Sequence, residues 1–191
     1  MTKLISVAVI VGSLRTESFT RRVAIAAMSR APEPLQCRFV EIGNLPHYNE
    51  DLDDKPPVEW ESFRAEINKS DAVLFCTPEY NRSCPGHLKN AIDVASRPAG
   101  TNLWDGMPAG ILSATPYSSG GMAANHALRQ TFIYLNMSAM QQPEAYISNA
   151  GDLVNAKGEV INEKTGELLT TYMDAYAKWV GTICGDFKNK S

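Results

Sequence analysis

An open parallel α/β sheet covered by helices on both faces is the fold class this sequence predicts, and three observations predict it. Short apolar runs rich in β-branched residues recur along the chain, of the kind carried by strands buried on both faces. Between them stand segments whose apolar residues repeat at helical spacing. The junctions carry glycine, proline, asparagine and serine, which punctuate elements instead of continuing them. A chain of 191 residues is one domain of ordinary size, so residues 1–191 are expected to share a core that needs no disulfide staples.

Taken in order, Ile5 to Val11 is a continuous apolar strand ended by Gly12, and Phe19, Val23 and Ala27 mark the buried face of a first helix. Gln36 to Ile42 has strand character and completes a βαβ unit. Leu45 to Pro57 is studded with prolines and aspartates, which predicts an irregular loop beside the site. Val58 to Asn68 is a helix with Trp60, Phe63 and Ile67 on one stripe, and Asp71 to Thr77 is the third strand. Leu88, Ala91, Ile92 and Ala95 face the core from the next helix, which Arg97-Pro98 ends. Met107 to Thr115 is a fourth strand, Gly121 to Leu135 a helix, and Glu144 to Ser148 a fifth, short strand. Glu167 to Cys184 closes the chain as a helix with Leu169, Tyr172, Tyr176 and Val180 at helical spacing.

Five strands point to a flavodoxin-like three-layer sandwich with strand order 2-1-3-4-5, whose ligand crevice opens between strands one and three. The loop after the first strand fits that placement. Ser13 to Thr20 supplies hydroxyls and the Arg15 guanidinium at a helix N-terminus, where free N–H groups and the helix dipole favour an anion. No Gly-Lys-Ser/Thr follows, and the glycine pattern of a dinucleotide site is absent, so a phosphate monoester suits the loop better than a triphosphate or pyrophosphate. After the third strand, Pro78-Glu79-Tyr80-Asn81 offers a stiff exit, an aromatic face and an amide. After the fourth, Pro116 to Gly121 offers small residues that let backbone approach a flat ring. An isoalloxazine on a ribityl phosphate, as in FMN, matches all three loops.

GSLRTESFTRR together with PEYNRSCPGHLKNAIDVASRP resembles the NADPH-dependent FMN reductase family, which includes quinone, chromate and azo reductases; the likeness extends to SSGG…LRQ and PEAYI. The resemblance implies that Ser13, Arg15, Ser18, Phe19 and Thr20 surround the FMN phosphate. It implies that Pro78, Glu79, Tyr80 and Asn81 lie along the ribityl chain and ring, with Ser118, Ser119, Gly120 and Gly121 on the other side. It further implies NADPH or NADH as hydride donor, and quinones, free flavin, azo or nitro compounds or metal oxyanions such as chromate as acceptors. No side chain is expected to be catalytic, since the flavin does the chemistry, and a homodimer or homotetramer is the expected assembly. Cys84, Val94 and Ala123 depart from the family's usual residues; the last bears on NADPH preference and on the tetramer.

Other classes fit less well. The net charge of −3, with 18 basic against 21 acidic residues, argues against a nucleic-acid partner and against the single-sign face of a flavodoxin-type one-electron carrier, the main alternative. Glu41 is the ribose ligand that a Rossmann dehydrogenase would need, but it lacks the glycine fingerprint. Cys37, Cys76, Cys84 and Cys184 form no C-x-x-C pair and the three histidines are widely spaced, so no metal site is expected. Cys37 and Cys76 read as packing residues. The first apolar run ends in Gly-Ser-Leu-Arg and no stretch is long enough to span a bilayer, so a cytoplasmic protein without a membrane partner is expected.

Overall fold

The strands are β1 (Ile5–Val11), β2 (Leu35–Phe39), β3 (Ala72–Thr77), β4 (Pro108–Ala114), β5 (Ser138–Ala139) and β6 (Ala145–Ile147), all paired in parallel in a computed structural model that describes residues 4–188, with side chains as far as Gly185. Their order is β2-β1-β3-β4-β5, with β6 also on β4, as the alternation of strand and helix patterns predicts. The helices are α1 (Phe19–Met28), α2 (Val58–Asn68), α3 (Gly86–Ala95), α4 (Met122–Tyr134), a single turn α5 (Ala150–Leu153) and α6 (Glu163–Lys188). Among the described residues no helix is long and apolar enough to cross a membrane.

Successive strand residues point to opposite faces, and the core is split accordingly. Val7, Val9 and Val11 of β1 pack with Val23 and Ala27 of α1 and with Leu169, Tyr172 and Tyr176 of α6. Ala8 and Ile10 pack on the other side with Trp60 and Phe63 of α2, Leu88 and Ile92 of α3, and Leu128 and Phe132 of α4. β3 and β4 are buried at every position, which is why they read as unbroken apolar runs. Each large apolar side chain taken fully from water in these layers contributes about 1.5–3 kcal/mol.

Three expectations are corrected. The fifth strand is split: Ser138 and Ala139 pair with Pro108 and Ala109, and Ala145 to Ile147 pair with Leu112 to Ala114. The break contains Pro143, which has no N–H to donate to the ladder. The second strand stops at Phe39, and Val40 and Ile42 turn into the layer between the sheet and α2. The loop from Leu45 to Pro57 is not irregular throughout; it holds a 3-10 turn at Glu50–Leu52 and is pinned to α2 and α3. The Trp60 indole and Asn90 amide both donate to the Pro46 carbonyl, at 2.9 and 3.0 Å, and Tyr48 stacks on Trp60 at 5.5 Å.

Candidate functional site

Where β1, β3 and β4 end, their loops enclose a cavity of about 250 Å³ lined by Ser13, Arg15, Phe19, Thr20, Pro78, Glu79, Tyr80 and Ala114 to Tyr117. This is the switch point of the sheet, where β1 has β2 on one side and β3 on the other. Gly12 sets the first loop in place: a Cβ there would stand 2.7 Å from Leu88 Cδ2 and 3.3 Å from Pro78 Cδ, so only glycine lets the end of β1 press against α3 and the third loop. Its N–H donates to the Cys76 carbonyl at 2.7 Å, and His87 Nε2 lies 3.2 Å from its carbonyl oxygen.

Ser18 is buried and caps α1, its hydroxyl accepting the Arg21 N–H at 3.1 Å. Helix geometry leaves the N–H groups of Phe19 and Thr20 without an intrahelical acceptor. Three arginines stand near this turn, and two are engaged. Arg21 makes a fork on Glu41 at 2.7 and 3.2 Å, and Arg22 pairs with Glu17. Arg15, exposed and 5.7 Å from the Phe19 ring centroid, is in no ion pair among the described residues. Glu41 is therefore an arginine partner.

The third loop is a tight hairpin. Tyr80 and Ser83 exchange backbone hydrogen bonds at 3.0 Å in both directions, and Asn81 and Arg82 between them have φ of 51° and 63°, as a two-residue type I′ turn requires. Tyr80 thereby stands at the cavity, against the edge of the His87 ring, while Asn81 is exposed at the tip. Glu79 lines the cavity, yet its carboxylate turns away to α4, where Oε2 accepts from Ala123 N at 2.9 Å and Ala124 N at 3.4 Å.

At the end of β4 and in the fourth loop the residues on the cavity are Ala114, Thr115, Pro116 and Tyr117; Ser118, Ser119, Gly120 and Gly121 are not among its lining. The glycines have a packing reason. A Cβ on Gly120 would meet Tyr146 at 2.9 Å and one on Gly121 would meet Ser113 Cβ at 2.9 Å, both with positive φ. Thr115 and Tyr117 lie one turn earlier in the same loop, and no sequence signal separates them from their neighbours. Of the residues expected at the site, the structure brings Ser13, Arg15, Phe19, Thr20, Pro78, Glu79 and Tyr80 together and leaves Ser18, Asn81 and Ser118 to Gly121 beside the cavity.

Cys37, Cys76 and Cys84 are held as neutral thiols. Burial pushes Cys37 up to about 11, and Cys76, fully buried, further still; burial also raises Cys84. A larger open groove, about 700 Å³, is lined by Lys89, Asp93, Arg97 and Tyr134. It lies outside the switch point, and Lys89 and Asp93 neutralise each other there at 2.6 Å.

The sequence profile of the NADPH-dependent FMN reductases matches residues 5–152. A quinone reductase of Pseudomonas putida is 52% identical over 181 residues, 94% of this chain and 97% of its own. A 2-hydroxy-1,4-benzoquinone reductase of a Burkholderia species is 43% identical over 92% of this chain and 96% of its own. Among solved structures, the flavoenzyme NAD(P)H:(acceptor) oxidoreductase FerB of Paracoccus denitrificans superposes with a TM-score of 0.89 at 39% identity, covering 94% of this chain and 98% of that one.

Proposed function

The chain belongs to the NADPH-dependent FMN reductase family and is an FMN-dependent oxidoreductase; from that premise we propose that it reduces quinones with NADPH or NADH as hydride donor, in the cavity at the switch point. The observation that carries this is the convergence of two hydroxyls and an uncommitted guanidinium (Ser13, Thr20, Arg15) with two aromatic walls (Tyr80, Tyr117) around one cavity. The first group suits a phosphate monoester and the second a flat heteroaromatic ring, so the residues present fit FMN. FMN, when bound, supplies the redox chemistry by accepting hydride and passing two electrons on.

The chain's own part is binding and orientation. Arg15, Ser13 and the Phe19 and Thr20 amides hold the phosphate, with Ser18 fixing the helix start. Pro78, Glu79, Tyr80 and Asn81 border the ribityl chain and ring on one side, and Thr115 to Gly121 on the other. No side chain acts as acid or base. Walls of tyrosine and proline select flatness more than outline, so free flavin, azo and nitro compounds and chromate are further acceptors in this reading. Residues 1–191 act as one cytoplasmic flavin-binding domain, in a homodimer or homotetramer for which the exposed Ile133 and Tyr134 offer apolar surface.

The test is direct: the purified protein is extracted and its cofactor weighed by mass spectrometry, and the holoprotein is mixed with NADPH under nitrogen. FMN, bleached within turnover time and recoloured by a quinone, is the expected result. FAD as the tight species would overturn the single-phosphate argument. A yellow protein that NADPH and NADH leave coloured would favour the flavodoxin-type carrier.

A further inference from the structure

The N-terminus of α4 has no cap of its own. Gly121 stands at the cap position with φ 79° and no side chain to offer, and the first turn contains no acidic residue. Four amides at such an end have no intrahelical acceptor, and an uncapped end weakens the whole first turn. Met122 N–H reaches back to the Ser119 carbonyl at 3.3 Å. The next two amides, those of Ala123 and Ala124, are taken by Glu79, 44 and 45 residues earlier in the chain. A carboxylate at this place satisfies the donors and complements the positive end of the helix dipole.

Glu79 is flanked by Pro78, which follows the last residue of β3, and by Tyr80, which the hairpin bonds to Ser83 hold. Its backbone is therefore rigidly joined to one wall of the cavity. The α4 turn it grips follows directly on the loop that carries Tyr117, the other wall. The fourth loop is tied on its far side to β6 and α5, where Thr115 N donates to the Ile147 carbonyl and Asn149 N to the Tyr117 carbonyl. On the side of the third loop, however, β3 and β4 pair with each other only as far as Thr77 and Ser113. Beyond that point the carboxylate of Glu79 bridges the third loop and the start of α4.

We propose that Glu79 is a positioning residue that caps α4 from a distance and thereby fixes the spacing of the Tyr80 and Tyr117 walls that receive the flavin. This rests on reading the cavity as the FMN site. Glu79 acts through α4, and its carboxylate is not a flavin ligand.

The test uses the full chain with Glu79→Ala and Glu79→Gln, the second keeping one acceptor oxygen in place. In the apoprotein, the Ala123 and Ala124 amides are expected to lose hydrogen-exchange protection in Glu79→Ala and to keep most of it in Glu79→Gln, a readout that needs no flavin. In FMN titrations Glu79→Ala is expected to raise the dissociation constant at least tenfold, with Glu79→Gln restoring most of the affinity. A Tyr176→Phe variant, altered on the opposite face of the sheet, serves as the stability control and is expected to bind FMN as the wild type does. Unchanged exchange in Glu79→Ala would overturn the capping contact. Lost protection with unchanged FMN affinity would reduce Glu79 to a structural cap and overturn the positioning role. A wild-type protein that takes up no FMN would overturn the reading of the cavity itself, and the positioning role with it, whatever the exchange shows.

Discussion

The Tyr176 hydroxyl donates to the Val73 carbonyl at 2.8 Å, which lays the middle of α6 across the centre of the sheet. The neighbouring strand yields space for it. A Cβ on Gly110 would stand 2.9 Å from the Tyr172 hydroxyl and 2.9 Å from a Tyr176 ring carbon. Both rings are fully buried, and burial holds both phenols far above their usual range.

Gly110→Ala should therefore destabilise the protein by about 1–3 kcal/mol, the usual cost of overpacking a core that cannot shift. Tyr176→Phe should cost about 0.5–1.5 kcal/mol, the net value of one hydrogen bond. Urea unfolding measures both. Because the two sites touch, Gly110→Ala should cost less in a Tyr176→Leu background, and strict additivity would show that the ring is not what Gly110 accommodates.

This contact also shows where reading the sequence stops. The runs Ile5 to Val11 and Asp71 to Thr77 announce buried strands because burial on both faces leaves a local mark, and α2 is found to the residue because Trp60, Phe63 and Ile67 keep a helical period. Gly110 looks like a weak point in its strand until rings more than 60 residues away are placed against it. Glu79 is legible as a residue of a peculiar loop, but its partners Ala123 and Ala124 are set only by the packing of α4 on β4. The fifth strand is legible in the run Glu144 to Ser148, which contains the Ala145–Ile147 half, whereas the Ser138–Ala139 half is not, because two residues carry no period. The first loop was legible because an anion site is local chemistry: hydroxyls, one arginine and a helix start within eight residues.

The Cys37 thiol is one of the buried groups, with Cys76 and Cys84, that erode stability at alkaline pH. Its usual value of 9.0 is raised to about 11 by burial, so between these two the unfolded chain has lost a proton that the folded chain keeps. Folding stability must then fall as pH rises through that window, and the Cys37 contribution is fully present only below about pH 9. Urea midpoints at pH 7.5, 9 and 10.5 should decline for the wild type more steeply than for Cys37→Ala. Equal slopes would show that another group governs the alkaline loss.

Arg15 and Ser13 should carry the phosphate. Deleting a donor to a charged oxygen costs about 1.5–3 kcal/mol, so each alanine variant should weaken FMN binding roughly 10–150-fold. Arg15→Lys should fall between, since a point charge replaces a fork. Fluorescence titration of the apoprotein measures all three. Wild-type affinity in both alanine variants would leave the loop as a helix start and nothing more.

Steady-state kinetics should follow a ping-pong course. Electrons need a relay only if donor and acceptor react at separate places, and the side chains most suited to a relay are disabled here. No disulfide joins the cysteines among the described residues, and burial holds Cys37, Cys76 and Cys84 as neutral thiols, which are poor at thiol–disulfide chemistry. Tyr172 and Tyr176 are locked in the core on the α6 face. Donor and acceptor must then each meet the same ring, between the Tyr80 and Tyr117 walls, once FMN occupies the cavity. The nicotinamide must leave before the quinone enters. Initial rates against NADPH at several fixed quinone concentrations should give parallel double-reciprocal lines, and the oxidised nicotinamide should inhibit competitively against the quinone. Intersecting lines would require a ternary complex, and with it a second binding place outside the walls formed by Tyr80 and Tyr117.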